Sequence, residues 1–176
     1  PVDWRTQTVD EALSRAGVVV VEVANIADDS SVAKVFAELS HTANLPPVGQ
    51  RVNAEQRDRL SQMMADRGFK PDALNSLETW AVALTLARPS DSSNPAHGID
   101  RAILAATDNK PVVELEGAKA QLSIFDNLPE AEQRDLLGYV LADGTALDND
   151  ANLLDTWRKG DMAKIEAETQ TGMLAD

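Results

Sequence analysis

Twice in this chain a short run of β-branched residues leads straight up to a glutamate: Val18-Val19-Val20-Val21-Glu22, and Pro111-Val112-Val113-Glu114-Leu115-Glu116 with Gly117 immediately behind it. Both runs are strand-sized, and unbroken valine suits a strand buried in a parallel sheet. In open α/β sheets, ligands collect in the crevice beyond the carboxyl ends of parallel strands. Two acids delivered there from two strands can share a metal, a proton or a substrate, which makes Glu22 and Glu116 the candidate catalytic residues. The plainer reading of the same residues is that a strand must end in something polar. Such glutamates often only cap a following helix or pair with a lysine.

At 176 residues the chain is long enough for one domain with a real hydrophobic core, and 43% apolar residues is a globular composition. The balance of 29 acidic against 16 basic side chains gives a net charge of −13. That charge repels phosphate backbones and anionic lipid, so nucleic acid is not an expected partner. No apolar run approaches the roughly 18 residues of a transmembrane helix. Cysteine is absent, which removes disulfides and thiolate metal sites. The chain opens at Pro1 in what reads as the middle of a loop, and Gly172 to Asp176 carries no helix-ending signal, so the expectation is a piece of a larger protein.

Around the two strands the pattern is helical. Thr8 and Glu11 form a capping-box pair ahead of Val9, Ala12, Leu13 and Ala16, closed by Gly17. Asp28, Asp29 and Ser30 offer N-cap oxygens to a helix over about residues 31–42, with Val32, Val35, Phe36 and Leu39 as its stripe. After the Pro46-Pro47 loop, Asn53 caps a helix through Asp66 that ends at Gly68. Pro71 is expected to open a further helix carrying Leu74, Leu77, Trp80, Ala81, Leu84 and Leu86. Met63, Met64 and Trp80 at this spacing read as core rather than as a cofactor pocket, and as a dimer interface only if the helices expose them. Residues 88–96, with two prolines and three serines, read as a loop and hinge. A helix over about 100–107, the second strand, a helix over about 118–126, and a helix opened by Pro129 with Leu136, Leu137, Val140 and Leu141 inward and Gly144 at its end follow. The tail reads as one charged helix over about 151–171, anchored by Leu153, Leu154, Trp157 and Ile165. Helix outweighs strand several-fold.

Gly98-Ile99-Asp100, then Lys110-Pro111-Val112-Val113-Glu114-Leu115-Glu116, then Gln121, then Gln133 with Leu136 and Leu137, together with the early Val18–Glu22 element, resemble the TraB/PrgY/GumN family that includes the Tiki proteins. The resemblance runs in order along nearly the whole chain. It implies an α/β fold, mostly helical with a small central sheet, with a helical insertion over about residues 44–96 inside a single domain spanning 1–176. Animal Tiki members are metal-dependent peptidases, and bacterial GumN-like members are mostly unassigned, exported or periplasmic proteins. The family's site is described as two Gly-x-x-His motifs with the glutamate that closes the early strand. Glu22 matches that glutamate, as catalytic residue and metal ligand. Glu116 matches the acid of the later Leu-Glu element, and Asp100 and Gln121 stand as substrate or supporting residues. The histidines depart from the pattern: three residues before His41 and His97 stand Glu38 and Asn94, so neither completes Gly-x-x-His. The motif histidines would fall outside residues 1–176.

These residues carry a metal-dependent peptidase-like hydrolase as the first hypothesis. A divalent ion (manganese, cobalt or zinc) would polarise the scissile carbonyl and acidify a water, with Glu22 as ligand or general base and a peptide as substrate. Two carboxylates alone hold such an ion weakly, so residues 1–176 by themselves are expected to be inactive. The second hypothesis is a non-catalytic, envelope-associated domain that binds a ligand or protein between the helical insertion and the sheet, with a homo-oligomer left open. The third is an acidic helical domain whose carboxylates are structural.

Overall fold

In the computed structural model, residues 5–88, 98–107, 109–142 and 155–171 are described. Thr6, rather than Thr8, opens the first helix, α1 (Gln7–Arg15), by accepting the Val9 amide at 3.3 Å. The expected capping box at Thr8 is therefore two residues too late. Ala16 turns extended at φ −60° and ψ 129°, and the chain enters β1 (Val19–Val21). Lys110 donates to the carbonyls of Ser14 and Ala16, both at 2.9 Å, and so pins the C-terminal end of α1 to the entry of β2 (Val112–Glu114).

β1 and β2 form a two-stranded parallel sheet with Val19 opposite Val112, Val20 opposite Val113 and Val21 opposite Glu114. Parallel strands require a long crossover, and among its described residues here are four α-helices. Alternation sorts the side chains: Val19, Val21 and Val23 are buried, whereas Val20 and Val113, at 52% and 47% exposure, share the opposite face. The fold is thus α/β, mostly helical, with a small sheet, as the residue pattern implied.

Beyond β1 a 3-10 turn (Ala24–Ala27) leads to Asp28, the N-cap of α2 (Asp29–Leu39). Its carboxylate accepts the Ser30 hydroxyl at 2.6 Å and the amides of Ser30 and Ser31. Those bonds, the Ser30 hydroxyl first, hold Asp28 below the ordinary carboxylate range. The Asn53 cap is likewise as expected: Asn53 and Gln56 form a reciprocal capping box on α3 (Ala54–Asp66), and Gly68 supplies the left-handed exit at φ 73°.

The main core lies between α3, α4 (Thr79–Ala87) and α7 (Glu130–Ala142). There Leu60, Met63, Met64, Val82, Leu86, Leu137 and Leu141 pack together under Leu74. Met63, Met64 and Trp80 are buried in this region and so form no exposed dimer face. The helix expected from Pro71 is not there. Residues 71–76 are turns, Leu77 bridges His41, and α4 begins only at Thr79. A continuous helix would need the Asn75 and Leu77 carbonyls for its own amides, and the guanidinium of buried Arg51 takes both. The amide of Trp80 is taken in turn by Gln133 Oε1 at 3.0 Å, while Gln133 Nε2 donates to the Leu128 carbonyl. Helix α4 therefore starts where α7 caps it.

Trp80 joins this core to the α/β part. Its ring meets Phe36 of α2 edge-on at 5.5 Å and stacks on Phe125 of α6 (Gly117–Asp126) at 6.3 Å. Nearby, burial pushes Asp126 above the ordinary carboxylate range; Glu78 adds to the rise and Trp80 opposes it. A raised folded-state pKa favours the fold below 3.8, and that contribution is lost as pH climbs through the raised value. Asp126→Asn is accordingly expected to be more stable than the parent at about pH 7 but not at about pH 3, as measured by urea unfolding. An equal stability difference at both pH values would remove Asp126 as the cause.

Helix α5 (Ile99–Ala105) packs against the 3-10 turn after β1. At the C-terminal side, one tail helix was expected, but Gly160 at φ 70° separates a helical stretch over residues 155–159 from α8 (Met162–Thr171). Trp157 was expected as an anchor yet is 58% exposed, and Thr156 is the buried neighbour. Leu153, Leu154, Gly144 and the loop from Pro89 to Ala96 lie outside the described residues. Among the described residues no helix is long and apolar enough to cross a membrane.

Candidate functional site at the carboxyl edge of the sheet

Because β1 and β2 run parallel, both leave the sheet on the same edge. Pairing continues past the strands: Leu115 donates its amide to the Val21 carbonyl at 3.0 Å, and the Glu22 carbonyl accepts from both Glu116 (3.2 Å) and Gly117 (2.9 Å). Gly117 stands at φ 78°, which lets the chain turn out of the ladder and directly into α6. One turn along α6, Gln121 Nε2 donates to Glu22 Oε2 at 2.8 Å. The structure therefore unites Glu22 and Gln121, with the Glu116 backbone beside them. Both glutamates are exposed, and Glu116, at the N-cap position of α6, makes no capping hydrogen bond with its side chain. Asp100 is exposed in the first turn of α5, on the helix that packs against the turn after Glu22.

The acid that sequence reading passed over is Glu114. The second strand ends there and not at Glu116, and Glu114 sits opposite Val21 inside the ladder. Its Oε2 accepts the Ala24 amide at 2.7 Å, across the sheet edge. Its Oε1 occupies the space a side chain at Gly117 would need, 2.7 Å from where a Cβ would stand. The available signal was parity: in Val112-Val113-Glu114 an acid interrupts an apolar strand at a position that must face the same side as Val112.

Whether these groups suit a divalent ion is decided by their donors. Among the described residues no three His, Cys, Asp or Glu side chains converge into a metal set. Glu114 is committed to Ala24, and Glu22 to Gln121. His41 is held at the opposite end of α2 from the sheet, its Nδ1 3.0 Å from Ser40 Oγ and 3.1 Å from the Ala37 carbonyl. His97 lies outside the described residues. The described side chains thus do not by themselves fit a divalent ion.

Comparison with known proteins bears on the whole chain. The TraB/PrgY/gumN family matches over residues 1–176. The chain belongs to that family. As a TraB/PrgY/gumN member it is 30% identical over 96 residues, 50% of this chain and 36% of the relative, to the uncharacterized protein YbaP of Escherichia coli (strain K12). YbaP of Shigella flexneri matches to the same extent. The match spans about a third of the length of these curated relatives. No solved structure matches this TraB/PrgY/gumN member.

Proposed function

We propose that the whole protein is a periplasmic or exported hydrolase of peptide bonds that works with manganese, cobalt or zinc, and that the carboxyl edge of β1 and β2 is where it acts. One observation supports this most: Glu22 leaves the strand with an exposed carboxylate whose Oε2 is oriented by Gln121. A general base needs a fixed carboxylate with an oxygen still open to water, and Oε1 provides it. In this reading Glu22 takes a proton from the water that adds to the peptide carbonyl. The same proton then passes to the departing amine as the carbon–nitrogen bond breaks. Gln121 orients the base, and Glu116 and Asp100 flank the substrate. Since the described residues make no metal set, the remaining ligands belong to other parts of the protein.

The test is a peptidase assay on the product of the whole gene with each of the three ions. Turnover is expected, with a loss of about 100-fold or more in Glu22→Gln, and none from residues 1–176 alone. No turnover with any ion, or an undiminished Glu22→Gln, would remove the reading. One observation favours the alternative of a non-catalytic envelope domain that binds a ligand or a further copy of itself. The carboxylates of Glu22 and Glu114 both already serve donors of this chain. A protein inert with every ion, in which Glu22→Gln changes nothing, would favour that alternative.

A further inference from the structure

Glu22 is the first residue past β1, and its side chain can point in one direction only if the backbone on both sides of it is fixed. Before it, the Val21 carbonyl accepts the Leu115 amide at 3.0 Å, and after it the Glu22 carbonyl is held by the amides of Glu116 and Gly117. Two residues on, the amide of Ala24 is held by the Glu114 carboxylate at 2.7 Å. Val23 between them is extended at φ −130° and ψ 110°. The bend that carries the chain from the strand into the 3-10 turn is therefore clamped from the neighbouring strand. Glycine at 117 leaves room for this carboxylate: a Cβ there would stand 2.7 Å from Glu114 Oε1, so the Glu114 side chain would have to shift. The same Gly117 donates to the Glu22 carbonyl, so the two halves of the clamp depend on one another.

From this we infer that Glu114 is a positioning residue for Glu22: by holding the Ala24 amide over Gly117, it sets the backbone from which the Glu22 carboxylate meets Gln121. The inference rests on the proposed role of Glu22 for its catalytic consequence, though the geometric part stands apart from it. Glu114 itself touches no reacting group. A displaced base lowers turnover far more than substrate binding, because small misplacements at the reacting centre act on the transition state.

Three variants separate position from charge. Glu114→Ala deletes the acceptor, whereas Glu114→Gln keeps an acceptor oxygen and drops the charge. Ala24→Pro removes the donated N–H and puts a ring carbon where Glu114 Oε2 sits, breaking the clamp without changing Glu114, at the first position of a helical turn after an extended residue, where proline is tolerated. In the whole-gene product, Glu114→Ala and Ala24→Pro are expected to lower kcat about tenfold with KM within about twofold, and Glu114→Gln to restore both. A second readout needs no activity: the side-chain amide NMR signals of Gln121 in this chain. In Glu114→Ala and Ala24→Pro they are expected to move toward their position in Glu22→Ala, and in Glu114→Gln to stay at the parent position. If Glu114→Ala does not fold, Ala24→Pro decides. Absence of turnover in the parent would sink the proposed function and leave the NMR result to judge the clamp. Unmoved Gln121 signals in the folded variants, or a Glu114→Gln as impaired as Glu114→Ala, would overturn the inference.

Discussion

Trp80→Ala is expected to lower the unfolding free energy by about 3–5 kcal/mol, a large share of the roughly 5–15 kcal/mol that holds a domain together. The side chain is fully buried at 0% exposure, so its removal leaves a cavity that neighbouring helices close only in part. The edge-on contact with Phe36 and the stack on Phe125 go with it, and such pairs add about 0.5–1.5 kcal/mol each beyond burial. Glu78 Oε2 also loses the indole N–H that it accepts at 3.1 Å. Because these contacts reach α2 and α6 from α4, the damage is to the junction between the helical core and the sheet. Trp80→Phe keeps most of the volume and is expected to cost less. Urea unfolding of the two variants measures this; a Trp80→Ala midpoint equal to that of the parent would show that α2 and α6 do not rely on this ring.

Arg51 carries the second large effect. Only 2% exposed, it gives Nε to the Pro46 carbonyl and one terminal nitrogen to the Asn75 carbonyl, each at 2.7 Å, and the other terminal nitrogen to Leu77. Burial pushes the guanidinium down from its ordinary value, opposed chiefly by the charge of Glu130. Arg51→Ala strands three carbonyls in the interior, at roughly 1–3 kcal/mol for each that finds no water. Arg51→Lys retains a cation but not the planar fork, and is expected to recover less than half of the loss. Residues 71–78 would be freed with it, so limited proteolysis there should rise in step with the fall in unfolding free energy. Stability equal to the parent in both variants would mean that water serves those carbonyls equally well.

These two residues also show what could be read from the chain and what could not. The caps at Asp28 and Asn53 and the exit at Gly68 are settled within a few residues, and each was legible. The start of α4 was not, because the groups that move it to Thr79 come from Arg51, 24 and 26 residues before the carbonyls of Asn75 and Leu77 that it holds, and from Gln133, 53 residues after the Trp80 amide that it accepts. Local periodicity carries no sign of donors that arrive from so far away. At the candidate site, the pairing of two valine runs and the approach of Glu22 to Gln121 were within reach of pattern and family resemblance. The clamp was hidden by a shift of two residues. The eye follows the apolar run to Glu116, whereas the ladder ends at Glu114, and only the pleat tells which acid turns back across the sheet. Trp157 misled in another way, since an aromatic at helical spacing means burial only if something packs on it.

The parallel pairing of β1 with β2 has a further consequence, for the order of events as the chain folds. Ala24 and Glu114, which meet across the strand ends, are 90 residues apart, whereas α4 and α7 meet at Trp80 and Gln133, 53 residues apart. Closing so wide a loop is repaid only once intervening segments have condensed. The valine ladder, and with it the geometry at Glu22, is thus expected to form after the helical core, and φ-values at Val19 to Val21 as high as those in α4 and α7 would overturn that order.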